Sequence, residues 1–379
     1  MAKAKNNTLR TRLLRTARRL LAQPVAPFRE RHARGYIENF CNDRGIPTRR
    51  DALGNVIATY GPDHPDTNLA FAAHMDHPGF IIEKDSAAKT TTAIFYGHVE
   101  EEYFRSAKVQ VFTEAGPVTA RITKTNFNLK TRTKRVHLRL EASVQKGDLG
   151  TWLLTPYELK NNILHSRNCD DGAGCVAILT FLDELAHRRI RKKVTAIFTI
   201  AEEAGLHGAK YICVKKALPK KTVIIAIETS SETPAAKIGN GVVIRVGDAS
   251  NIFTPEITKF MTAIAKKTKD SNKNFKYQRK LMDGGTCESS IYYAFGYKTG
   301  AVAIPLGNYH NRNFKKKKIE PEFVSAADLE NMTTLFVELV RNCRNLQKFL
   351  NPGLPVYKKQ TRDLGETFFT GSPGKQRFY

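Results

Sequence analysis

The apolar positions of this chain change period along its length. Leu9, Leu13, Leu14, Ala17, Leu20 and Leu21 recur at helical spacing inside an Arg-rich segment. That face predicts a docked basic helix rather than a targeting peptide. Pro24 and Pro27 end the pattern, and Ile37, Phe40 and Cys41 mark a second helix over residues 29–42, closed by Gly45. Apolar, β-branched runs then begin to alternate with helical stretches. Residues 69–74, 194–200, 222–227 and 300–304 read as buried strands. Helices are expected after residue 174, over 205–217, from Thr254-Pro255, and from Ser325, which forms a capping box with Asp328. Strand–helix alternation predicts an α/β fold, a mainly parallel sheet with helices on both faces.

Residues 84–159 break this rhythm. Short strand-like segments at 107–113, 118–123 and 136–140 are separated by Gly116-Pro117 and by a turn at 146–148, with no helical period. They predict a small all-β, barrel-like domain inserted into the α/β domain. The chain thus divides into a discontinuous α/β domain (1–83 and 160–350), the insert (84–159), and a polar tail (351–379).

Composition narrows the reading. Among 379 residues, 61 Lys+Arg face 36 Asp+Glu, a formal net charge of +25. Such an excess favours anionic surfaces or acidic substrates. The basic residues are dispersed rather than striped with aromatics, so a nucleic-acid partner is not expected. No run of 18 apolar residues predicts a membrane span. Six cysteines without C-x-x-C spacing read as reduced thiols of a cytoplasmic protein.

The candidate chemistry gathers at strand ends. The run at 194–200 delivers adjacent Glu202 and Glu203, followed by Gly205 and Gly208. Two carboxylates this close call for a cation or a shared proton, although acidic residues also suit the first turn of a helix. His74 ends the strand at 69–74, with Asp76 placed to fix its tautomer. Asp170 and Asp171 precede a helix, where N-capping would also explain them. Glu228 closes a further strand, His310 lies just past the last, and Gly285 and Thr286 sit in a glycine-containing loop. Open α/β sheets bind ligands beyond these strand ends.

Taken together, H-x-D-x-x-G at 74–79, D-x-x-x-G at 170–174, E-E-x-G-x-x-G at 202–208, Glu228 and His310 resemble the co-catalytic di-zinc metallopeptidases. Within these, residues 9–349 are most similar to the glutamyl aminopeptidase and tetrahedral aminopeptidase group. The resemblance implies a phosphorylase/hydrolase-like fold, a homo-oligomer, and two divalent ions, Zn²⁺ first, with Co²⁺ or Mn²⁺ also accommodated. By position, His74 and His310 would each end one metal, Asp170 would bridge, and Glu203 and Glu228 would complete one side each. Glu202 would be the general base, Asp76 would orient His74, and Gly285 and Thr286 would contact substrate. The implied activity is an aminopeptidase on short peptides. A carboxypeptidase-like enzyme or N-acyl-amino-acid amidohydrolase is the same-chemistry alternative, and an inactive basic scaffold, associated with nucleic acid, the alternative of another class. Three departures bear on substrate: Glu228 where Asp is more usual, Cys287 after G-G-T, and Gly307-Asn308 in place of an Arg-containing sequence.

Overall fold

A computed structural model describes residues 8–62, 68–87, 89–105, 107–128 and 133–350; the expected tail at 351–379 lies outside the described residues. The chain opens with helices α1 (Leu9–Leu20) and α2 (Arg31–Asn42). The hairpin β1 (Thr48–Arg50) and β2 (Val56–Tyr60) leads to β3 (Leu69–His74). Six strands follow: β4 (Gly79–Ile82), β5 (Thr90–Tyr96), β6 (Lys108–Thr113), β7 (Gly116–Asn128), β8 (Thr133–Leu140) and β9 (Leu149–Trp152). After β10 (Glu158–Lys160) and β11 (Ile163–Ser166) come α3 (Gly172–His187), β12 (Val194–Thr199), α4 (His207–Val214) and β13 (Val223–Ser231). Then follow β14 (Val242–Arg245), α5 (Pro255–Ser271), β15 (Tyr277–Lys280), α6 (Glu288–Ala294) and β16 (Lys298–Gly307). The short β17 (Arg312–Asn313) and β18 (Lys318–Ile319) precede β19 (Glu322–Ser325), α7 (Ala326–Arg341) and α8 (Leu346–Leu350).

Eleven strands form one mixed sheet, ordered β1-β2-β12-β3-β13-β16-β19-β11-β10, with β14 on β16 and β15 on β14. Its centre, β12-β3-β13-β16, is parallel, but both flanks are antiparallel, where a mainly parallel sheet was expected. The reason is connection length. Strands joined by helices can return in the same direction, whereas close neighbours such as β1–β2 and β10–β11 can only reverse. The parallel centre aligns the carboxyl ends of four strands on one rim.

Side chains of the central strands alternate between two layers. Leu69, Phe71 and Ala73 of β3 join a core shared with α1, α2, α3, α5 and α7, while Ala70 and Ala72 pack under α4 and α6. Helices therefore cover both faces, which is why these strands carry no polar alternation. Strands β4-β5-β8-β7-β6-β9 close a barrel with its own core, in which Phe80, Phe95, Phe104 and Trp152 pack together. Its first strand starts at Gly79, ahead of residue 84, because β4 continues directly from the turn after His74.

Two expected helix starts differ in detail. Ser325 accepts from Asp328 N at 3.2 Å, but the Asp328 carboxylate does not return to Ser325 to complete a capping box. It accepts instead from the backbone N–H groups of Gly239 (2.7 Å) and Gly241 (2.8 Å), tying α7 to the loop before β14. Thr254 likewise turns its hydroxyl to Thr299 N at 2.9 Å rather than capping α5. All six cysteines are buried, and none forms a disulfide. No helix among the described residues is long and apolar enough to cross a membrane.

Candidate metal centre

The aligned strand ends bring five expected residues together. His74 is the last residue of β3, Glu228 lies in β13, and Glu203 follows β12. Asp170 precedes α3, and its peptide bond to Asp171 is cis. Beyond β16 the backbone turns through left-handed conformations at Asn308, His310 and Asn311, with φ of 55°, 55° and 63°, and this turns His310 back over the sheet. Asp170 is central. One carboxylate oxygen lies 3.5 Å from His74 Nε2 and the other 3.6 Å from His310 Nε2. Among the described residues, two groups have ligand atoms within 4.8 Å of one another: His74, Asp170 and Glu228, and Asp170, Glu203 and His310.

Each ring is held by its other nitrogen. His74 Nδ1 donates to the Asp76 carbonyl at 3.1 Å, and His310 Nδ1 donates to the His98 carbonyl, from the barrel, at 2.9 Å. With Nδ1 committed, each ring turns Nε2 inward, the arrangement a metal-binding imidazole uses. The Asp76 carboxylate lies farther from His74, 3.6 Å from Nδ1. Its two oxygens accept from the backbone N–H groups of Glu202 and Glu203, each at 3.0 Å. Asp76 thus orients His74 through its carbonyl and the glutamate pair through its side chain. Asp171 accepts from Gly174 N at 3.2 Å and from the Thr229 hydroxyl at 2.8 Å. It caps α3 and joins neither group.

The donor set fits a divalent cation. Asp170 Oδ1 and Glu228 Oε1 are buried without a hydrogen-bond partner among the described residues, a costly state for the chain alone, and His310 Nε2 lies 2.8 Å from Glu203 Oε1. Burial lowers the basicity of both rings, yet Asp170 and Asp76 around His74, and Glu203 and Asp170 around His310, hold both imidazoles well above the ordinary histidine range. Burial also acts against the Asp170 carboxylate, but the His310 and His74 imidazoles beside it hold it below its ordinary range. Glu202 belongs to neither group. Burial, with Glu228, Glu203 and Asp76 nearby, raises its carboxyl well above the usual value, against the opposing charge of His74.

Several supports carry no local sequence signal. Glu322 is fully buried, and its two oxygens accept from His310 N (2.8 Å) and Asp170 N (3.0 Å), strapping together two ligand-bearing loops. His77 donates through Nδ1 to the Asp170 carbonyl at 2.6 Å, and its Nε2 lies 2.9 Å from the Asn311 side-chain oxygen. Its position one residue past H-x-D was the one cue available. Glu322→Gln is expected to weaken metal binding about 10–100-fold, because it replaces one acceptor of the strap by a donor. Metal titration calorimetry checks this, and unchanged affinity would dissociate Glu322 from the site.

A cavity of about 410 Å³ opens beside the acids, lined by Asp170, Glu202, Glu228, Arg245 and Tyr309 and by the loop holding Gly285, Thr286 and Cys287. Gly285 and Thr286 line this cavity. Arg245, 3% exposed, was not foreseen; its Nη2 donates to the Met282 carbonyl at 3.0 Å. Cys287 donates its backbone N–H to Asp248 at 3.0 Å. Gly307 is required because a Cβ there would lie 2.0 Å from the Phe323 ring.

Comparison with known proteins gives the same outline. Residues 137–335 match the family described as M42 glutamyl aminopeptidase. The chain is 26% identical over 313 residues to an Acetivibrio thermocellus protein named as an aminopeptidase, covering 76% of this chain and 87% of that one. It is 23% identical over 289 residues to the glutamyl aminopeptidase of Lactococcus lactis, covering 69% and 79%. In structure it resembles a Pyrococcus horikoshii TET peptidase, which assembles into a tetrahedron or a large octahedral shell. The TM-score is 0.70 at 23% identity, over 86% of this chain and 99% of that one.

Proposed function

The chain belongs to the M42 glutamyl aminopeptidase family and is a metal-dependent aminopeptidase, and from that premise we propose a two-metal site that removes N-terminal residues from short peptides. The observation that carries this is the shared carboxylate of Asp170, which faces His74 with one oxygen and His310 with the other. His74, Asp170 and Glu228 would hold one ion, and Asp170, Glu203 and His310 the other. Zn²⁺ suits this imidazole–carboxylate set, with Co²⁺ or Mn²⁺ as substitutes. Bound ions would polarise the scissile carbonyl and make the attacking water more acidic. Glu202 takes the proton of that water and passes it to the leaving amine. Asp76 holds the backbone of Glu202, so the base meets the substrate with little reorganisation. Gly285 and Thr286 line the same cavity as the acids and would contact the substrate.

Arg245 favours a second reading. A buried guanidinium in the cavity wall could take a substrate carboxylate, as an N-acyl-amino-acid amidohydrolase or a carboxypeptidase requires. A panel of aminoacyl amides and N-acyl amino acids, assayed on the metal-loaded protein, separates the two. The aminopeptidase reading expects turnover of free-amine substrates and loss on N-acylation. Preference for the N-acyl series would reverse the assignment.

A further inference from the structure

Four consecutive backbone N–H groups carry the chain from the end of β12 to the glutamate pair, and each donates to a side chain from elsewhere in the sequence. Ile200 N donates to Asn55 Oδ1, Ala201 N to Glu30 Oε1, and Glu202 and Glu203 N to the two oxygens of Asp76, all at 3.0 Å. The segment is irregular: Ala201 has φ of 50°, a left-handed conformation disfavoured for a residue with a Cβ. The surrounding side chains must therefore impose it. Asn55 is itself fixed, donating to Asp51 Oδ2 at 2.7 Å and to the Gly208 carbonyl at 3.2 Å. A Cβ on Gly208 would lie 2.5 Å from Asn55 Oδ1, which explains the second glycine of E-E-x-G-x-x-G.

Glu30, like Asn55, has no place in any of the motifs. It lies between Pro27 and α2, 171 residues from Ala201, and is 1% exposed. Its Oε1 accepts from Phe28 N at 2.8 Å as well as from Ala201 N. Burial and the nearby Asp76 push its carboxyl up to about 8, so holding an acid here is costly. An apolar side chain would avoid that cost but leave two buried N–H groups without an acceptor.

We propose that Glu30 is a positioning residue for the catalytic base: it fixes the Ile200–Ala201 peptide, one before the peptide that enters Glu202, and so sets where that carboxylate stands over the cavity. The inference rests on the reading of Glu202 as the base. Asp76 holds the backbone of both glutamates, but Glu203 lies one residue farther from the Glu30-bound peptide and its Oε1 is also held 2.8 Å from His310 Nε2, so the two effects separate. Loss of Glu30 should disturb proton transfer and leave the metal-binding residues in place.

The test compares Glu30→Gln and Glu30→Ala in the full-length, metal-loaded protein, reading kcat, KM, metal per chain and the melting temperature. Gln keeps an oxygen at the same reach and should hold kcat within about threefold of wild type. Ala removes the acceptor and should lower kcat about 10²-fold, the scale of a displacement near 1 Å at a reacting group. KM and bound metal should remain within about twofold, since neither depends on that peptide under this proposal. A purely structural role would lower the melting temperature without splitting kcat from KM. Wild-type kcat in Glu30→Ala overturns the proposal, as does a Glu30→Gln protein as impaired as Glu30→Ala. If Glu30→Ala does not fold, Glu30→Asp, which retracts the oxygen by one methylene, takes its place under the same criteria. Glu202→Gln in the same assay distinguishes the two ideas. Full activity there removes the base assignment and the role of Glu30 with it. An inactive Glu202→Gln beside an unimpaired Glu30→Ala removes the positioning role alone.

Discussion

Glu202→Gln is expected to lower kcat by about 10³-fold, with KM, bound metal and melting temperature close to wild type. The magnitude is that of a lost general base, typically 10²–10⁴-fold. The substitution is nearly isosteric and leaves the backbone N–H of residue 202 on Asp76. It also spares both candidate ion sites, because Glu202 belongs to neither. What it removes is the capacity to accept a proton. Parallel measurement of steady-state kinetics and of metal per chain is decisive. An active Glu202→Gln would end its assignment as base, and an inactive variant that had also lost metal would make Glu202 a metal-binding residue.

Asp170→Asn should have the broader effect, abolishing activity and weakening both ions together. Asp170 is the one residue common to the two candidate groups. An amide cannot present two anionic oxygens, and its NH₂ group would face a cation or an imidazole. His74 and His310 would each lose the carboxylate oxygen that faces Nε2. His310→Ala, by contrast, should spare the group formed by His74, Asp170 and Glu228. Calorimetric metal titration of the two variants tests the difference. Retention of full metal stoichiometry in Asp170→Asn would show that this carboxylate does not bridge.

The rim of the sheet was readable from the residues alone because its determinants are local. An apolar β-branched run followed at once by His74, Glu203 or Glu228 declares both a buried strand and the chemistry at its end. His310 was readable in the same way, just past the run that became β16. The barrel was visible as a loss of helical period, although its first strand, continuous with the turn after His74, was not separable by composition.

The supports were not readable, for a physical reason. Glu30, Glu322 and the carboxylate of Asp76 act on backbone N–H groups, and every residue except proline presents the same N–H. Such contacts impose no spacing and no partner side chain, so they leave no pattern. Asp328 shows the opposite hazard. Its spacing from Ser325 satisfied a local rule, yet Gly239 and Gly241 captured the carboxylate once α7 was docked. Arg245 belongs to the same class, since only the pairing of β14 with β16 brings it into the cavity wall.

By itself, then, the chain's linear pattern determined which residue types would stand at each strand end and in what order along the chain. Those properties follow from hydrophobic period and from residues adjacent in sequence. The tertiary structure alone decided the geometry at the rim: Asp170 between two imidazoles, Glu202 outside both candidate groups, and the Asp76 carboxylate on the backbone of the glutamate turn. These are distances between residues far apart in sequence, set by how strands pair and helices dock rather than by local preference.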